Sequence, residues 1–220
     1  MKKTGLLFIF CLLTFNAFSQ VHFNLRVSPA LALSRLSDKN TADATSVSGN
    51  GPAAAFVGGA ALEFEFTDNL ALNIGLNYVA TSLNAKFSSG GFDYTSKRTV
   101  QYVQTPITLK AYTNEIATNM KLYFQIGPTL NIKIAEKLKS SNWPGGDPDK
   151  DAHNIVSPID AGIYLGAGVT YKMGESNDLF AGLYYNRGLT NVYQTNGNIH
   201  YYDNARAHMD LLGLEVGIRF

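Results

Sequence analysis

Apolar side chains alternate with small or polar side chains through most of the sequence after residue 20. In the stretch 21–33, VHFNLRVSPALAL, every odd-numbered residue is apolar, and the even-numbered residues are polar or alanine. Successive side chains of a β-strand leave on opposite faces, so a period of two predicts a strand with one apolar face. A helix would repeat its apolar residues every three or four positions, and no such stripe fits this stretch.

The same alternation recurs seven more times along the chain. The turn at 67–69 separates two of these stretches and is short enough to predict an antiparallel hairpin. We therefore predict eight strands, at 21–33, 56–66, 70–78, 98–113, 120–135, 158–173, 179–192 and 207–220.

The predicted connections also alternate in length. Short ones lie at 67–69, 114–119 and 174–178, and long ones at 35–54, 84–97, 136–157 and 193–206. An even-stranded meander of this kind is typical of a transmembrane barrel, because hydrocarbon contains no water and a spanning sheet must close on itself. The predicted fold is all-β, a single eight-stranded antiparallel up-and-down transmembrane β-barrel over residues 20–220, with both termini on the periplasmic side.

Residues 1–19 have the three-part layout of a signal peptide: two lysines, a short apolar run, and small residues before a cleavage point. The only cysteine, Cys11, lies in this segment, so the mature chain would have no disulfide. After cleavage 16 basic and 17 acidic residues would remain, which gives no basic excess for nucleic acid. We predict an integral protein of a Gram-negative outer membrane, with the lipid as a partner and no cofactor or metal.

Several stretches in order resemble the PorT-type outer-membrane β-barrel family, small porin-like proteins common in Bacteroidetes. They are VQTPITLK (103–110), FQIGPTLNIK (124–133), DAGIYLGAGVTY (160–171), YNRGLTNV (185–192) and GLEVGIRF (213–220). The resemblance implies a barrel fold and an outer-membrane address for the whole mature chain. The terminal Phe220 is also similar to the signal by which the barrel-assembly machinery recognises its clients, which makes that machinery an expected partner.

Charged residues fall on the polar face of the predicted strands, which would point into the lumen. A small barrel has an interior just wide enough for side chains, so these charges are expected to pair and fill it. An ion-selective constriction is the alternative interpretation. The predicted lumen charge network comprises Arg26, Glu63, Glu65, Lys110, Lys133, Asp160, Lys172, Glu215 and Arg219.

Aromatic residues in the long connections are candidates for recognition of an extracellular protein or glycan. They also suit the membrane interface, where amphipathic rings gather. The candidates are Trp143, Tyr193, Tyr201 and Tyr202. The acidic run 147–151 lacks the glycine and glutamate of a calcium loop, and no nucleophile motif surrounds the serines at 140 and 141.

These observations predict a non-enzymatic outer-membrane barrel with a filled polar lumen, whose loops serve structural or interaction roles. Three alternatives stay open at this point. They are a narrow passive channel, a lipid-modifying enzyme of the outer membrane, and a soluble periplasmic carrier of lipocalin type with its faces inverted.

Overall fold

The computed structural model describes residues 20–38, 45–89, 91–142, 155–174, 177–193 and 205–220. These residues form nine β-strands: β1 Gln20–Asp38, β2 Thr45–Gly49, β3 Ala53–Thr67, β4 Leu70–Ser89, β5 Phe92–Tyr112, β6 Met120–Ser141, β7 Ile159–Lys172, β8 Asp178–Gly188 and β9 Ala205–Arg219. None of the described residues belongs to a helix long and apolar enough to cross a membrane.

Eight of the strands close into one antiparallel ring, in which each strand pairs with its neighbours along the chain and β9 pairs with β1. At this seam Leu25 faces Ile218 and Leu31 faces Leu212. The remaining strand, β2, pairs only with the far end of β4, where it continues the line of β3 after a break at residues 50–52. The prediction of an eight-stranded antiparallel barrel is therefore confirmed.

The outer wall carries rows of exposed alkyl and aromatic side chains. On β6 the row runs from Leu122 to Ile134, about 40 Å along a strand that rises about 3.3 Å per residue. Tilted by about 45°, it covers about 28 Å, which matches the hydrocarbon of a bilayer. Since Arg26, Glu63 and Glu215 are buried inside, the soluble carrier with inverted faces is wrong.

The apolar face of the wall changes sides along β4. Leu72, Ile74 and Leu76 point outward, and Leu76 is 61% exposed; further along, Leu83 and Phe87 point inward and are 2% and 0% exposed. A strand inside a bilayer turns its apolar face to lipid, whereas a strand in water turns it to the core. The inversion therefore indicates where β4 leaves the membrane.

Several predicted boundaries are wrong because the strands continue beyond this point. The stretch 84–97 is a tight hairpin, not a long connection: β4 runs to Ser89, β5 starts at Phe92, and Gly91 between them has a positive φ of 82°. β4, β5 and β6 contain 20, 21 and 22 residues, about twice what a membrane requires. The end of the barrel with these extensions is called the loop end, and the opposite end, at 68–69 and 113–119, the short-turn end.

Three prolines lie within strands and not at bulges or strand ends. Pro29, Pro106 and Pro128 each keep their partners on one neighbouring strand, and the ladder on the other side skips two residues without a change of register. A proline lacks the N–H for one ladder bond, so the loss is confined to one side. Gly75 gives Pro106 room, because a Cβ there would lie 2.9 Å from the proline ring.

Candidate functional site

The lumen at the short-turn end is occupied by a fully buried carboxylate, Glu63 on β3. It accepts hydrogen bonds from Lys110 Nζ at 3.1 Å, Arg219 Nη1 at 3.0 Å, Tyr112 Oη at 2.5 Å and Asn24 Nδ2 at 3.1 Å. These donors come from β5, β9 and β1, so one side chain joins strands on several sides of the ring. A charge can stay buried here because its oxygen atoms are paired in this way.

Lys110 is held by aromatic rings as well as by Glu63. Its Nζ lies 4.5 Å from the ring centroid of Tyr123, 5.1 Å from that of Tyr112 and 5.3 Å from that of Phe180. Aromatic faces attract a cation, most strongly where water is excluded. The three rings and the lysine therefore lie in contact inside the barrel at this level.

A second buried carboxylate, Glu215 on β9, lies further toward the loop end. Arg26 Nη1 donates to it at 3.0 Å, Tyr123 and Tyr164 donate their hydroxyls at 2.8 Å, and Gln125 donates at 2.7 Å. Its four donors come from β1, β6 and β7. Glu215 therefore joins opposite walls of the barrel, as Glu63 does.

Glycines on β7 and β8 make room for Tyr123 at the centre of this network. A Cβ on Gly168 would lie 2.5 Å from the Tyr123 hydroxyl oxygen, and one on Gly182 would lie 2.3 Å from it. Because Gly168 and Gly182 have no side chains, Tyr123 of β6 can reach across the lumen to Glu215.

Amide side chains continue the hydrogen-bonded network toward the loop end. Arg26 Nε donates to Asn77 at 3.2 Å, Asn77 to Gln104 at 3.2 Å, and Gln104 to Asn131 at 2.9 Å. Asn131 then donates to Asp160 at 2.8 Å. The chain of contacts crosses from β1 through β4, β5 and β6 to β7.

A third ionic cluster lies above the amides, around Glu136 on β6. Arg98 on β5 contacts Glu136 at 3.4 Å, Lys133 contacts it at 2.8 Å, and the Val156 backbone N–H donates to it at 3.2 Å. A bulge beside Tyr102 adds one residue to β6 and turns Glu136 inward. Sequence reasoning missed Glu136 and Arg98 because it placed both residues at or beyond strand ends.

A layer of buried apolar side chains lies inside the barrel at the loop end. Ile155 and Val156 before β7 and Val192 and Tyr193 after β8 fold inward to complete it. Val156 forms an isolated bridge with Tyr193, and Val192 N–H donates to Ala207 O at 2.8 Å. Its other buried members include Val57, Val79, Leu83, Phe87, Val100, Tyr102, Met209 and Leu211.

The short-turn end opens into a polar vestibule with a volume of about 480 Å³. Carboxylates at Glu65, Asp68 and Glu115 and cations at Lys121 and Lys172 line it. Arg219 forms its floor, where it contacts Glu65 at 2.6 Å and also Asp178 and Glu63. The vestibule thus ends at the network around Glu63.

The structure places most of the predicted lumen charges inside the barrel. Arg26, Glu63, Lys110, Asp160 and Glu215 are buried. Glu65, Lys133 and Arg219 are partly buried in ion pairs. Lys172, in contrast, is exposed at the vestibule and does not join the buried network.

The buried tyrosines that bind the carboxylates were also missed from sequence. Tyr112, Tyr123 and Tyr164 alternate with outward alkyl residues, so their inward position was readable from the period of two. A pattern of charged residues does not indicate them, because a tyrosine side chain is neutral.

The loop aromatics have different outcomes. Tyr193 is 4% exposed within the apolar layer, so the prediction that it is displayed for recognition is wrong. Trp143, Tyr201 and Tyr202 lie outside the described residues, as does the acidic run 147–151. Phe220 stacks on Phe23 with ring centroids 6.4 Å apart, and the two residues exchange backbone hydrogen bonds of 2.9 and 3.2 Å across the seam.

Within the part of the chain that the structure describes, no group of three His, Cys, Asp or Glu side chains is arranged to hold a metal ion. Ser140 and Ser141 lie on β6, while His208 and Asp210 lie on β9, a strand that is not adjacent in the ring. The described residues therefore do not bring Ser140 or Ser141 beside His208.

Comparison with known proteins agrees with this architecture. A model of the outer membrane protein beta-barrel domain matches residues 16–194, and the chain belongs to that family. The family gives the protein an outer-membrane location. No curated protein matches the chain.

Two solved structures share the fold. Neisserial surface protein A is 14% identical, with a TM-score of 0.52 over 90% of this chain and 95% of that one. The outer membrane protein OprG from Pseudomonas aeruginosa is 13% identical, with a TM-score of 0.52 over 90% of this chain and 94% of that one. At such identities the likeness concerns the fold alone.

Proposed function

We propose that the protein is a non-enzymatic, non-conducting outer-membrane barrel that acts as a rigid scaffold for its loops. The observation that supports this proposal is the succession of filled levels along the lumen, from Glu63 through Glu215 and Glu136 to the apolar layer. Ions cross a barrier of this kind only if buried charges lose their partners, which costs several kcal/mol for each group.

The charges in the lumen are nearly balanced, as expected for a filling and not for a selective pore. Five cations face six carboxylates in these clusters. They are Arg26, Arg98, Lys110, Lys133 and Arg219, with Glu63, Glu65, Glu136, Asp160, Asp178 and Glu215.

Planar-bilayer recording of the purified protein tests the sealed lumen. Insertion is first established by heat-modifiable gel mobility, since a folded barrel and its boiled form migrate differently. We expect no stepwise current after insertion. A steady open current from the wild-type chain would favour the alternative, a narrow passive channel that begins at the vestibule, and would contradict the scaffold.

The absence of enzymatic activity is part of the same proposal. The alternative is a lipid-modifying enzyme, which would alter lipid A or phospholipids in the membrane. We expect identical lipid profiles by mass spectrometry in cells that lack the protein and in cells that overproduce it. A new or missing lipid species that follows protein level would overturn this part.

The orientation and processing of the chain complete the proposal. Residues 1–19 are cleaved as a signal peptide, both termini face the periplasm, and Phe220 is read by the barrel-assembly machinery. Within its family the chain belongs to the PorT-type group, which the ordered motifs favour. N-terminal sequencing of the mature protein should start at residue 20 or 21, and Phe220→Ala should slow assembly without changing synthesis.

The loop end then faces the cell exterior, where loops that carry Trp143, Tyr201 and Tyr202 would contact a protein or glycan. Binding of glycan arrays by the purified barrel tests this role. We expect Trp143→Ala to abolish binding and Phe92→Ala, at the exposed tip of the β4–β5 hairpin, to leave it unchanged. Equal loss in both variants would contradict a specific loop site.

A further inference from the structure

Six basic side chains follow the apolar rows on the outer wall at the loop end. Each lies within three outward positions of the last apolar residue of its strand. They are Arg35 on β1, Lys97 on β5, Lys137 and Lys139 on β6, Arg187 on β8, and Arg206 on β9. We call these six residues the basic collar.

The burial of adjacent residues on each strand shows that the side chains of the basic collar point outward. Arg98 and Ser96 are buried on the inner face of β5, so Lys97 between them points outward. Beyond the bulge in β6, Glu136 contacts Arg98 inside the wall, so Lys137 points outward and is exposed. Arg187, Arg206 and Arg35 are exposed as well.

Only one of the six is neutralised within the described residues. Arg35 donates two hydrogen bonds to Asp210, at 2.7 and 2.9 Å, and Tyr185 donates a third at 2.7 Å. The other five contact no carboxylate of the described chain. On the outer wall, the collar therefore has a net positive charge.

Three of the free cations lie together on the β5–β6 face. Lys97 pairs across the strands with Ser140, the residue after Lys139, and Lys137 pairs with Thr99. At the short-turn end Lys121 and Lys172 line the vestibule together with Glu65, Asp68 and Glu115, so the vestibule has no such excess of positive charge.

We propose that the basic collar binds the phosphate groups of anionic lipids in the leaflet at the loop end. The apolar rows fix how deep the barrel lies, so the side chains just beyond them meet the headgroup layer. Lysine and arginine are the side chains that bind phosphate there, through charge-assisted hydrogen bonds. This inference needs the protein to span a membrane, but it does not depend on whether the lumen is sealed.

The test measures association of spin-labelled lipids with the full barrel in phosphatidylcholine vesicles by electron paramagnetic resonance. The probes are a spin-labelled phosphatidic acid and a spin-labelled phosphatidylcholine. The collar variant is Lys97→Gln/Lys137→Gln/Lys139→Gln, and the matched control is Lys121→Gln/Lys172→Gln at the short-turn end. All three proteins are first checked for heat-modifiable mobility, and folding failure is unexpected because none of the five substituted positions is buried.

We expect wild type and control to prefer phosphatidic acid, and the collar variant to lose this preference by up to about five-fold for each cation that contacts a phosphate. Competition by diphosphorylated lipid A, but not by inorganic phosphate, would show that the collar binds phosphates anchored in lipid. Equal preference in the collar variant and wild type would overturn the proposal. An equal loss in the control would do so too, because net charge would then explain the selectivity.

Discussion

At the scale of single residues, the buried carboxylates determine what the lumen can do. Glu215 is 1% exposed and receives hydrogen bonds from an arginine, two tyrosines and a glutamine. A carboxylate in such a place is tolerated only while its partners remain. The same holds for Glu63 and its four donors, so these side chains stabilise the barrel only as complete sets.

Arg26→Met should lower the free energy of unfolding by about 3–5 kcal/mol, because it leaves Glu215 without its cation. The double variant Arg26→Met/Glu215→Leu should recover much of this loss. Denaturant unfolding in lipid vesicles measures both, with Lys172→Met at the exposed vestibule as control, which should stay within about 0.5 kcal/mol of wild type. If Arg26→Met is as stable as Lys172→Met, Arg26 and Glu215 are not a coupled buried pair.

Asp93, near the tip of the β4–β5 hairpin and outside the membrane, makes the stability of the fold depend on pH. Lys86 Nζ contacts its Oδ2 at 2.8 Å and the Ser88 hydroxyl donates to Oδ1 at 2.6 Å, which lowers the pKa of Asp93 below its usual value. The pKa of Asp93 is therefore lower in the folded than in the unfolded protein. The contacts with Lys86 and Ser88 stabilise the fold above the unfolded pKa, and this stabilisation is lost as the pH falls through the folded pKa.

Lys86→Gln should therefore raise the pKa of Asp93 in an NMR titration, whereas Lys97→Gln on the same hairpin should leave it unchanged. An Asp93 pKa that does not respond to Lys86→Gln would show that Lys86 is not the cause.

At the scale of elements, the β1–β9 seam closes the ring and depends on a close backbone approach. Gly217 faces Arg26 on β1 and Phe180 on β8. A Cβ at this position would lie 2.2 Å from the Leu25 carbonyl oxygen and 2.3 Å from the Phe180 ring. The Leu25 carbonyl oxygen cannot move away without breaking the backbone hydrogen bonds between β1 and its neighbouring strands.

Gly217→Ala should therefore lower the free energy of unfolding by about 1–3 kcal/mol, the usual cost of overpacking. Gly174→Ala is the matched control, because nothing lies within 4 Å of a Cβ there. Both are compared by the temperature at which the gel mobility changes. An equal temperature for the two variants would mean that the seam is looser than the structure has it.

The sequence was a reliable guide where the strands cross lipid and a poor one beyond it. Between residues 70 and 78 the outward face is uniformly apolar, as a lipid-facing strand requires, so the strand and the directions of its side chains can be predicted. From Val79 onward the apolar residues change parity, as Leu83 and Phe87 show. A prediction that follows one continuous row of outward apolar residues therefore ends β4 too early and does not include the apolar layer inside.

The ionic partners were predictable only in part, for a related reason. Strand parity shows that Glu63 and Lys110 face inward, but it does not show which strands meet across the lumen. Glu136 turns inward only because of a bulge in β6, and a bulge has no strong sequence signal. Ring closure brings Glu215 of β9 to Arg26 of β1 and Tyr123 of β6. These contacts can be predicted only when the whole fold is known.

At the scale of the whole molecule, one wall encloses two layers of buried side chains that differ in chemistry. The levels of Glu63, Glu215 and the amides lie within the membrane, whereas the Glu136 cluster and the apolar layer lie beyond it at the loop end. Ser28 on β1 lies inside the wall near the junction of the two layers and is 1% exposed. Water or ions that pass through the lumen would have to come close to it.

The most direct test of the sealed barrel is thiol labelling of Ser28→Cys in detergent, where a small charged reagent reaches both ends. Cys11, the only cysteine of the chain, is replaced by serine, and Ser46→Cys and Asn114→Cys report on the exposed loop and short-turn ends. The account predicts rapid labelling of both end positions, and labelling of Ser28→Cys only after unfolding. Equally rapid labelling of Ser28→Cys in the folded barrel would contradict it and indicate an open, water-filled lumen.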